Sequence, residues 1–517
     1  MNNSSEIKPL RIAAYLVSVL FFLFVLLFLS SKGSIEGTKI EEDGIALFGQ
    51  KVKYPHYSSF FAEATDSLQA DSTLDNLVAS LTPLEDSLAV ADSLAQADSL
   101  AALQDTVKKK VVIPHLSKID YAKLERIQYP KSDPNFTADL HAAFMSKQCR
   151  ILHYGDSQIE GDRISAYLRN RLQNMYDGGG PGFLPIKQVY HQISAVVEVS
   201  DNWLRYALFD PRNYKKTPHK RYGTFLSLSR FTPMLAKNDT TTVIDSLPMV
   251  SATISLGKTK KYYKKLKDFT HIGLHYGNVK SPTSIECFDG ENLIVSDTLK
   301  IDSAYHEFSI DLPKASDNLK IVLKSKHSPD FYGVTLEKPN GIQLDNIAMR
   351  GNSGTVFSKC DWKSFAGMGK NLAPKVVILQ FGGNTVPYLE DSTKVRWYGR
   401  NLVRQFTHLR NTLGKEIKFL FIGPTDMSVT VNGEMLTYPL LPYLNERLRY
   451  ICLQNGVSYW SMFDAMGGEG SMPAWVEKGL VGNDHVHFTH GGTKIISELF
   501  FSTLYLDLKP HVANESH

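Results

Sequence analysis

The sequence predicts an α/β protein in which a three-layer α/β/α domain with a parallel sheet is interrupted by an inserted antiparallel β-sandwich, jelly-roll-like, and preceded by an N-terminal transmembrane helix. Three observations lead to this prediction. An uncharged apolar run lies near the N-terminus, short apolar runs alternate with amphipathic stretches after Cys149, and residues 184–348 alternate apolar and polar side chains with little helical period. The 517 residues are 43% hydrophobic and 21% charged, which excludes a wholly disordered chain.

The apolar run covers residues 12–29, beginning at Ile12 and ending at Leu29, and is just long enough to span a bilayer. Lys8 and Arg11 precede it and acidic residues follow, so the positive-inside rule places the N-terminus in the cytoplasm and the rest of the chain outside. A cleaved signal peptide is the alternative, but no A-x-A-like cleavage site follows the run. Residues 1–33 are therefore expected to be a cytoplasmic end and an inner-membrane anchor, with the body in the periplasm or another extracytoplasmic space.

An acidic, low-complexity tether is expected over residues 34–117. Residues 62–105 contain nine Asp and Glu residues and no Lys or Arg, and Asp-Ser-Leu-Ala recurs at a spacing of six from Asp86. This spacing places the three leucines on different sides of a helix, so no coiled-coil stripe forms. The segment is interpreted as a spacer that holds the body away from the membrane.

The α/β domain is predicted in two parts, residues 118–183 and 349–517, around an insert at 184–348. Its predicted strands are residues 151–154, 376–380, 419–422 and 457–462, and its predicted helices are residues 162–175, 402–413, 444–452 and 495–504. Alternating strands are predicted within the insert at residues 225–228, 253–256, 306–310 and 320–323, which is typical of a β-sandwich. Without the insert, a single α/β domain of ordinary size remains.

A candidate nucleophile, Ser157, follows the first predicted strand in Gly155-Asp156-Ser157, at the sheet edge where open α/β folds place their sites. A serine hydroxyl needs a base, and the base needs an orienting group. Asp484 lies three residues before His487 and can accept its Nδ1 proton, which would leave Nε2 facing the serine. His485 is the alternative base, and a metal cluster of the nearby histidines is a further alternative.

Acyl transfer also needs hydrogen-bond donors aimed at the developing oxyanion. Gly382-Gly383-Asn384 follows the strand predicted at 376–380, and the Asn384 amide can donate. Gly354, in the stretch after the last insert strand, could add its N–H to that of Ser157. Each of these turns follows a predicted strand. Taken together, they indicate an oxyanion hole made by Ser157, Gly354 and Asn384.

These four blocks resemble those of the SGNH, or GDSL-like, hydrolases: Gly-Asp-Ser, a Ser-Gly turn, Gly-x-Asn and a terminal Asp-x-x-His. The resemblance implies that Ser157 is the nucleophile, His487 the base, Asp484 its orienting group, and Ser157 N–H, Gly354 N–H and Asn384 the oxyanion hole. Gln158 replaces the Leu that often follows the serine, and Thr385 replaces the Asp that often follows the asparagine. An insert between the first two blocks is similar to that of the peptidoglycan O-acetylesterases, where it looks like a carbohydrate-binding module.

The expected function is therefore a membrane-anchored serine esterase that removes O-acetyl groups from cell-wall or envelope polysaccharide. An O-acetyltransferase with the same triad, supplied by an acyl-donor membrane protein, is the first alternative, and a catalytically inactive glycan-binding scaffold is the second. No cofactor, no metal and no nucleic acid are expected as partners. One or two disulfides among the four cysteines remain open, as does the question whether the insert binds glycan or calcium.

A basic cluster within the insert has two interpretations. Six lysines between residues 258 and 267 surround Tyr262 and Tyr263. A solvated hairpin is one interpretation, and a surface for anionic glycan or lipid headgroups is the other.

Overall fold

The structure, a computed structural model, describes residues 38–41, 44–47, 50–53, 111–114, 116, 120–209, 215–236, 239, 241–260 and 262–514. Residues 1–69 and residues 70–517 form separate units. The first contains an antiparallel meander of three strands, Thr38–Glu41, Gly44–Leu47 and Gln50–Lys53. No strand was expected in this part of the predicted tether, because the acidic bias that suggested a spacer lies further along, in residues 62–105.

A parallel sheet of five strands forms the centre of the second unit. The strand order is Gly341–Ala348, Gln148–Gly155, Pro374–Gln380, Lys418–Ile422 and Ser458–Trp460. Side chains are buried along almost the whole of Gln148–Gly155, as expected for a parallel strand covered on both faces. The predicted parallel sheet is confirmed.

Helices cover both faces of this sheet and produce the three layers. Ile151 and Ile378 face a core closed by the helices Phe136–Met145, Arg163–Tyr176 and His490–Asn514. Leu152 and Leu379 face the opposite core, closed by the helices Trp362–Leu372, Ser392–Leu413 and Leu441–Gln454. Two shorter helices, Met462–Ala465 and Ser471–Glu477, follow the last strand. A small hairpin, Ser428–Val431 with Glu434–Thr437, precedes the helix Leu441–Gln454.

The insert contains two antiparallel sheets around a separate apolar core. One sheet has the order Tyr305–Asp311, His271–Gly277, Asp330–Glu337, Ser227–Arg230 and Leu204–Ala207, with Gly182–Leu184 paired to Asp330–Glu337. The other has the order Asn292–Thr298, Thr283–Asp289, Leu319–Ser325, Val250–Lys258 and Ala195–Val199. The predicted antiparallel sheets are therefore present.

The insert boundary predicted at residue 348 is too late. The strand Gly341–Ala348 is the edge strand of the parallel sheet and pairs with Gln148–Gly155. Its buried polar side chains, Gln343, Asp345 and Asn346, interrupt the apolar run that a buried parallel strand normally has, so the sequence looked like another sandwich strand.

The insert and the α/β domain share buried structure. Insert side chains such as Phe183 and Tyr332 belong to the same apolar core as Met368 of the helix Trp362–Leu372. Arg150 on the first parallel strand forms buried ion pairs with Glu337 of the insert and with Asp345, both at 2.8 Å. The insert is therefore packed as part of the second unit.

Among the described residues, no helix is both long and apolar enough to cross a membrane. The predicted anchor at residues 12–29 and most of the predicted tether lie outside the described residues. All four cysteines are buried, and none of the disulfides left open by the sequence is formed between them.

Candidate active site

Ser157 lies directly after the first parallel strand, at the start of a short 3-10 segment, Ser157–Asp162. Asp156 caps that segment by accepting a hydrogen bond from the Gln158 backbone N–H at 3.0 Å. The side chain of Ser157 is thereby held at the carboxyl edge of the sheet, where the sequence predicted it.

His487 reaches Ser157 from a tight turn before the last helix. Asp484 Oδ1 accepts the backbone N–H groups of Val486 and His487 at 3.1 and 3.0 Å, and these two bonds fix the turn. Asp484 Oδ2 lies 2.7 Å from His487 Nδ1, and His487 Nε2 lies 2.7 Å from Ser157 Oγ. The structure thus brings these three side chains, far apart in sequence, into one hydrogen-bonded chain.

The electrostatics of Asp484 suit a carboxylate that stays ionised. Burial raises its pKa, but the hydrogen bonds from His487 and Val486 and the charge of His487 outweigh burial, so the pKa lies below its ordinary value. An ionised Asp484 favours the His487 tautomer with its proton on Nδ1, and this tautomer leaves Nε2 free to accept the serine proton.

His485 occupies the same turn but takes a different direction. Its φ is 54°, in the left-handed region, and its Nδ1 is buried without a hydrogen-bond partner among the described residues. The hydrogen bond to Ser157 is made by His487, so the geometry favours His487 over His485 as the base.

Asn384 lies after the third strand of the sheet, in the 3-10 turn Gly383–Tyr388. Its Nδ2 is 3.2 Å from both Asp156 Oδ2 and the carbonyl oxygen of Asn352. This places a side-chain donor in the same pocket as Ser157. Both amide protons of Asn384 have acceptors in this structure, so a substrate oxyanion would take the place of one of these two acceptors.

Gly354 is close to this cluster, but its N–H is engaged. It donates to Asn352 Oδ1 at 2.8 Å, and Gly354 is not among the described residues that line the pocket. Its φ of 75° and the proximity of Phe381, whose Cδ2 would lie 2.7 Å from an added Cβ, explain the glycine. Of the predicted oxyanion donors, Asn384 therefore lines the pocket, whereas Gly354 contacts Asn352.

Asp156 is a buried carboxyl group directly beside the candidate nucleophile. Burial raises its pKa to about 6, although Gln158, His487 and Asn384 act in the opposite direction. Perturbed carboxyl groups of this kind cluster at functional sites. No role was predicted for Asp156 beyond its place in the motif.

Two further residues brace the site, and neither was predicted. Gln158 Nε2 donates to the Val486 carbonyl at 2.5 Å. Arg163 donates to the carbonyl oxygens of Ser157 and Phe488, at 2.6 and 3.1 Å. Both side chains therefore join the Ser157 segment to the His487 turn. The only sequence signal was the departure at Gln158 from the Leu usual in the family.

A pocket of about 230 Å³ opens beside Ser157 and Asn384. Its other walls are mainly apolar and include Phe381, Pro387, Met427 and Met462. Tyr388 stands at its lip with 75% of its surface exposed. No group of His, Cys, Asp and Glu side chains suited to a metal ion occurs in the described part of the chain.

Solved structures include proteins whose fold is similar to that of this chain. A peptidoglycan O-acetylesterase superposes with a TM-score of 0.55 at 20% identity, over 74% of this chain and 99% of that chain. Weaker matches include an acetyl xylan esterase (TM-score 0.25, 14% identity, 31% of this chain and 80% of that one). A family two carbohydrate esterase from Clostridium thermocellum gives 0.24 at 11% identity, over 59% and 99% of the two chains.

The superposition with the peptidoglycan O-acetylesterase confirms the predicted resemblance to such enzymes at the level of the fold. No protein-family model matches the chain, and no curated protein matches it.

Proposed function

We propose that this chain is a serine esterase of the SGNH type that removes O-acetyl groups from a cell-wall or envelope polysaccharide. The observation that carries the proposal is the hydrogen-bonded chain from Asp484 through His487 to Ser157. Nucleophile, base and orienting carboxylate in this order are the arrangement that activates a serine hydroxyl at neutral pH. The fold shared with a peptidoglycan O-acetylesterase supports an acetylated glycan as the substrate.

The reaction would proceed in two steps. Ser157 Oγ attacks the acetyl carbonyl carbon and passes its proton to His487 Nε2, while Asp484 accepts the Nδ1 hydrogen bond. The tetrahedral oxyanion takes hydrogen bonds from the Asn384 amide and the Ser157 backbone N–H, and the predicted Gly354 N–H would join them only by giving up its bond to Asn352. The sugar oxygen then leaves with the proton from His487. In the second step water attacks the carbonyl carbon of acetyl-Ser157 and gives a proton to His487, and the acyl–oxygen bond breaks as His487 returns that proton to Ser157 Oγ, which releases acetate.

Hydrolysis is favoured over transfer to a second sugar by the exposure of the site. The side chains of His487 and Asp484 are 34% and 52% exposed, so water reaches the base directly. A transferase must exclude water or hold its acceptor at a high effective concentration. It would also need an acyl-donor membrane protein, because acetyl-CoA is cytosolic.

An inactive glycan-binding scaffold is the other alternative. Loss of one triad member would be expected in such a protein, whereas Ser157, His487 and Asp484 are all present and hydrogen-bonded. The proposed location of the body is the periplasm or another extracytoplasmic space, with residues 12–29 as a single-pass anchor in the inner membrane.

The test is acetate release from an O-acetylated polysaccharide by the full-length chain in detergent. Ser157→Ala and His487→Asn should each lower the rate by at least about 10³-fold, because triad members act as a unit. His485→Asn is the matched control and should stay within about threefold of wild type, since asparagine adopts a positive φ readily. Wild-type rates in the Ser157 variant would contradict the proposal.

A second incubation separates esterase from transferase. The same chain is given a soluble acetyl donor and deacetylated polysaccharide, and bound acetyl is measured. Acetyl gained by this polysaccharide, with no acetate released from the acetylated one, would identify a transferase.

A further inference from the structure

The insert carries a groove of about 1000 Å³ that the proposed reaction does not use. It lies beside the strands Ala195–Val199, Val250–Lys258 and Leu319–Ser325 of one insert sheet and the segment that follows Val250–Lys258. We refer to it as the basic groove. Five lysines line it, Lys258, Lys260, Lys264, Lys267 and Lys320, against three carboxylates, Glu198, Asp268 and Asp317.

Most of this negative charge is already neutralised. Asp317 pairs with Lys258 at 3.0 Å, and Asp268 pairs with Lys338, outside the groove, at 2.5 Å. By contrast, the exposed side chains of Lys260, Lys264 and Lys320 form no ion pair with any described residue. The groove therefore presents uncompensated positive charge.

The lysine-rich segment is held in place, which a solvated hairpin would not be. Leu266 is 1% exposed, and the carbonyl oxygen of Lys265 accepts the Gly180 N–H at 2.9 Å. Tyr263 packs against the apolar core beneath the helix Arg163–Tyr176, with its ring 6.0 Å from that of Tyr167. These anchors fix the backbone, so the lysines keep their positions along the groove.

The same segment also contacts the start of the helix that follows the His487 turn. The Tyr262 ring lies 6.2 Å from that of His490, which starts the last helix three residues after His487. A ligand held in the basic groove would therefore be held on a segment that packs against the first residue of the helix following the turn that carries the base.

We propose that the basic groove binds a segment of an anionic polysaccharide and thereby retains the polymer whose ester groups are presented to Ser157. An ammonium group is a compact point charge that pairs with a carboxylate or a phosphate without requiring planar, two-point geometry. The lysines would therefore recognise the density of negative charge along the polymer. The role in ester turnover rests on the proposed function, but the binding itself does not.

The test compares two triple variants of the full-length chain in detergent. Lys260→Gln, Lys264→Gln and Lys320→Gln remove three charges from the groove. Lys216→Gln, Lys280→Gln and Lys300→Gln remove three exposed charges from elsewhere in the insert. Binding is measured at low and high salt to polygalacturonate, to neutral xylan and to vesicles of anionic phospholipid. Hydrolysis of a small acetyl ester is followed in the same preparations.

The groove variant should bind polygalacturonate about tenfold more weakly, at roughly 0.5 kcal/mol for each exposed charge, and the control within about twofold. Wild-type binding should weaken with salt and be absent for xylan. Equal losses in both variants, equal binding to xylan, or stronger binding to the vesicles would overturn the proposal. Small-ester hydrolysis should be unchanged in both variants, and its absence from wild type would count against the proposed function alone.

Discussion

Gln158 Nε2 lies 2.5 Å from the carbonyl oxygen of Val486, so the residue after the candidate nucleophile holds the residue before the candidate base. These positions belong to opposite ends of the α/β sequence, and the bond closes the site between them. Since a small displacement of a base from its nucleophile lowers the rate steeply, the relationship makes Gln158 a positioning residue.

Replacing Gln158 with methionine keeps the volume and removes the donor. We expect Gln158→Met to lower kcat on a small acetyl ester about tenfold with KM nearly unchanged. Gln173→Met is the matched control, because Gln173 Nε2 also donates to buried carbonyls, those of Gly180 and Ile342, away from the site. If both variants lost activity only in proportion to stability, the positioning role would be wrong.

The Asn384 amide should act on turnover and not on substrate affinity. Asn384→Ala is expected to lower kcat by about 10²-fold, since one oxyanion donor is lost. Asn371→Ala, on the exposed face of the helix Trp362–Leu372, is the control and should be neutral. An increase confined to KM would instead identify Asn384 as a ground-state substrate contact.

Burial of the ionised Asp156 carboxylate should lower the free energy of unfolding at neutral pH. Its pKa rises from an ordinary 3.8 to about 6 on folding, so the folded state favours the neutral carboxyl group. Stability from this group is therefore lost as pH rises from about 4 to 6. A shift of two units corresponds to roughly 3 kcal/mol, and Asp156→Asn sacrifices about 1 to 2 kcal/mol of hydrogen bonding.

We therefore expect Asp156→Asn to raise the free energy of unfolding at pH 7.5 by about 1 to 2 kcal/mol, while activity falls because Asn384 loses an acceptor. Urea unfolding at pH 4.5, 6 and 7.5 measures this, and the advantage should shrink towards the lowest pH. A constant difference across these three values would show that the carboxyl group is not perturbed.

Arg150 should be essential to the stability of the second unit. Arg150→Met leaves Glu337 and Asp345 buried without their cation, which costs about 3 to 5 kcal/mol. Lys418→Met is the control: its partners Asp133 and Asp139 are more exposed, so we expect about 1 kcal/mol or less. Urea unfolding curves compare the two, and equal losses would contradict the importance of burial.

The sequence predicted the parts of the site that depend on local spacing. Asp484 and His487 share one turn, and Ser157 follows one strand. These residues could therefore be proposed from the local sequence without knowledge of the fold. The contacts of Gln158 and Arg163 with the His487 turn were not, because they join segments distant in sequence. The Gly354 donor was predicted as available, but its bond to Asn352 depends on the exact path of a loop.

At the level of the fold, apolar periodicity predicted the layers and the antiparallel sheets of the insert. It did not predict the C-terminal boundary of the insert. Gly341–Ala348 contains buried polar residues whose partners lie on other elements, including Arg150 for Asp345. A periodic pattern cannot reveal such pairs.

The pairing of Gly341–Ala348 with Gln148–Gly155 has a kinetic consequence, because it closes a chain loop that contains the whole insert. Closing a long flexible loop is entropically costly and slow. Gly182–Leu184 also pairs with Asp330–Glu337, and forming this pairing early would bring the two ends of that loop together. We therefore expect the sandwich to fold before the parallel sheet is complete, so that substitutions that slow its folding also delay assembly of the Ser157 site without touching it.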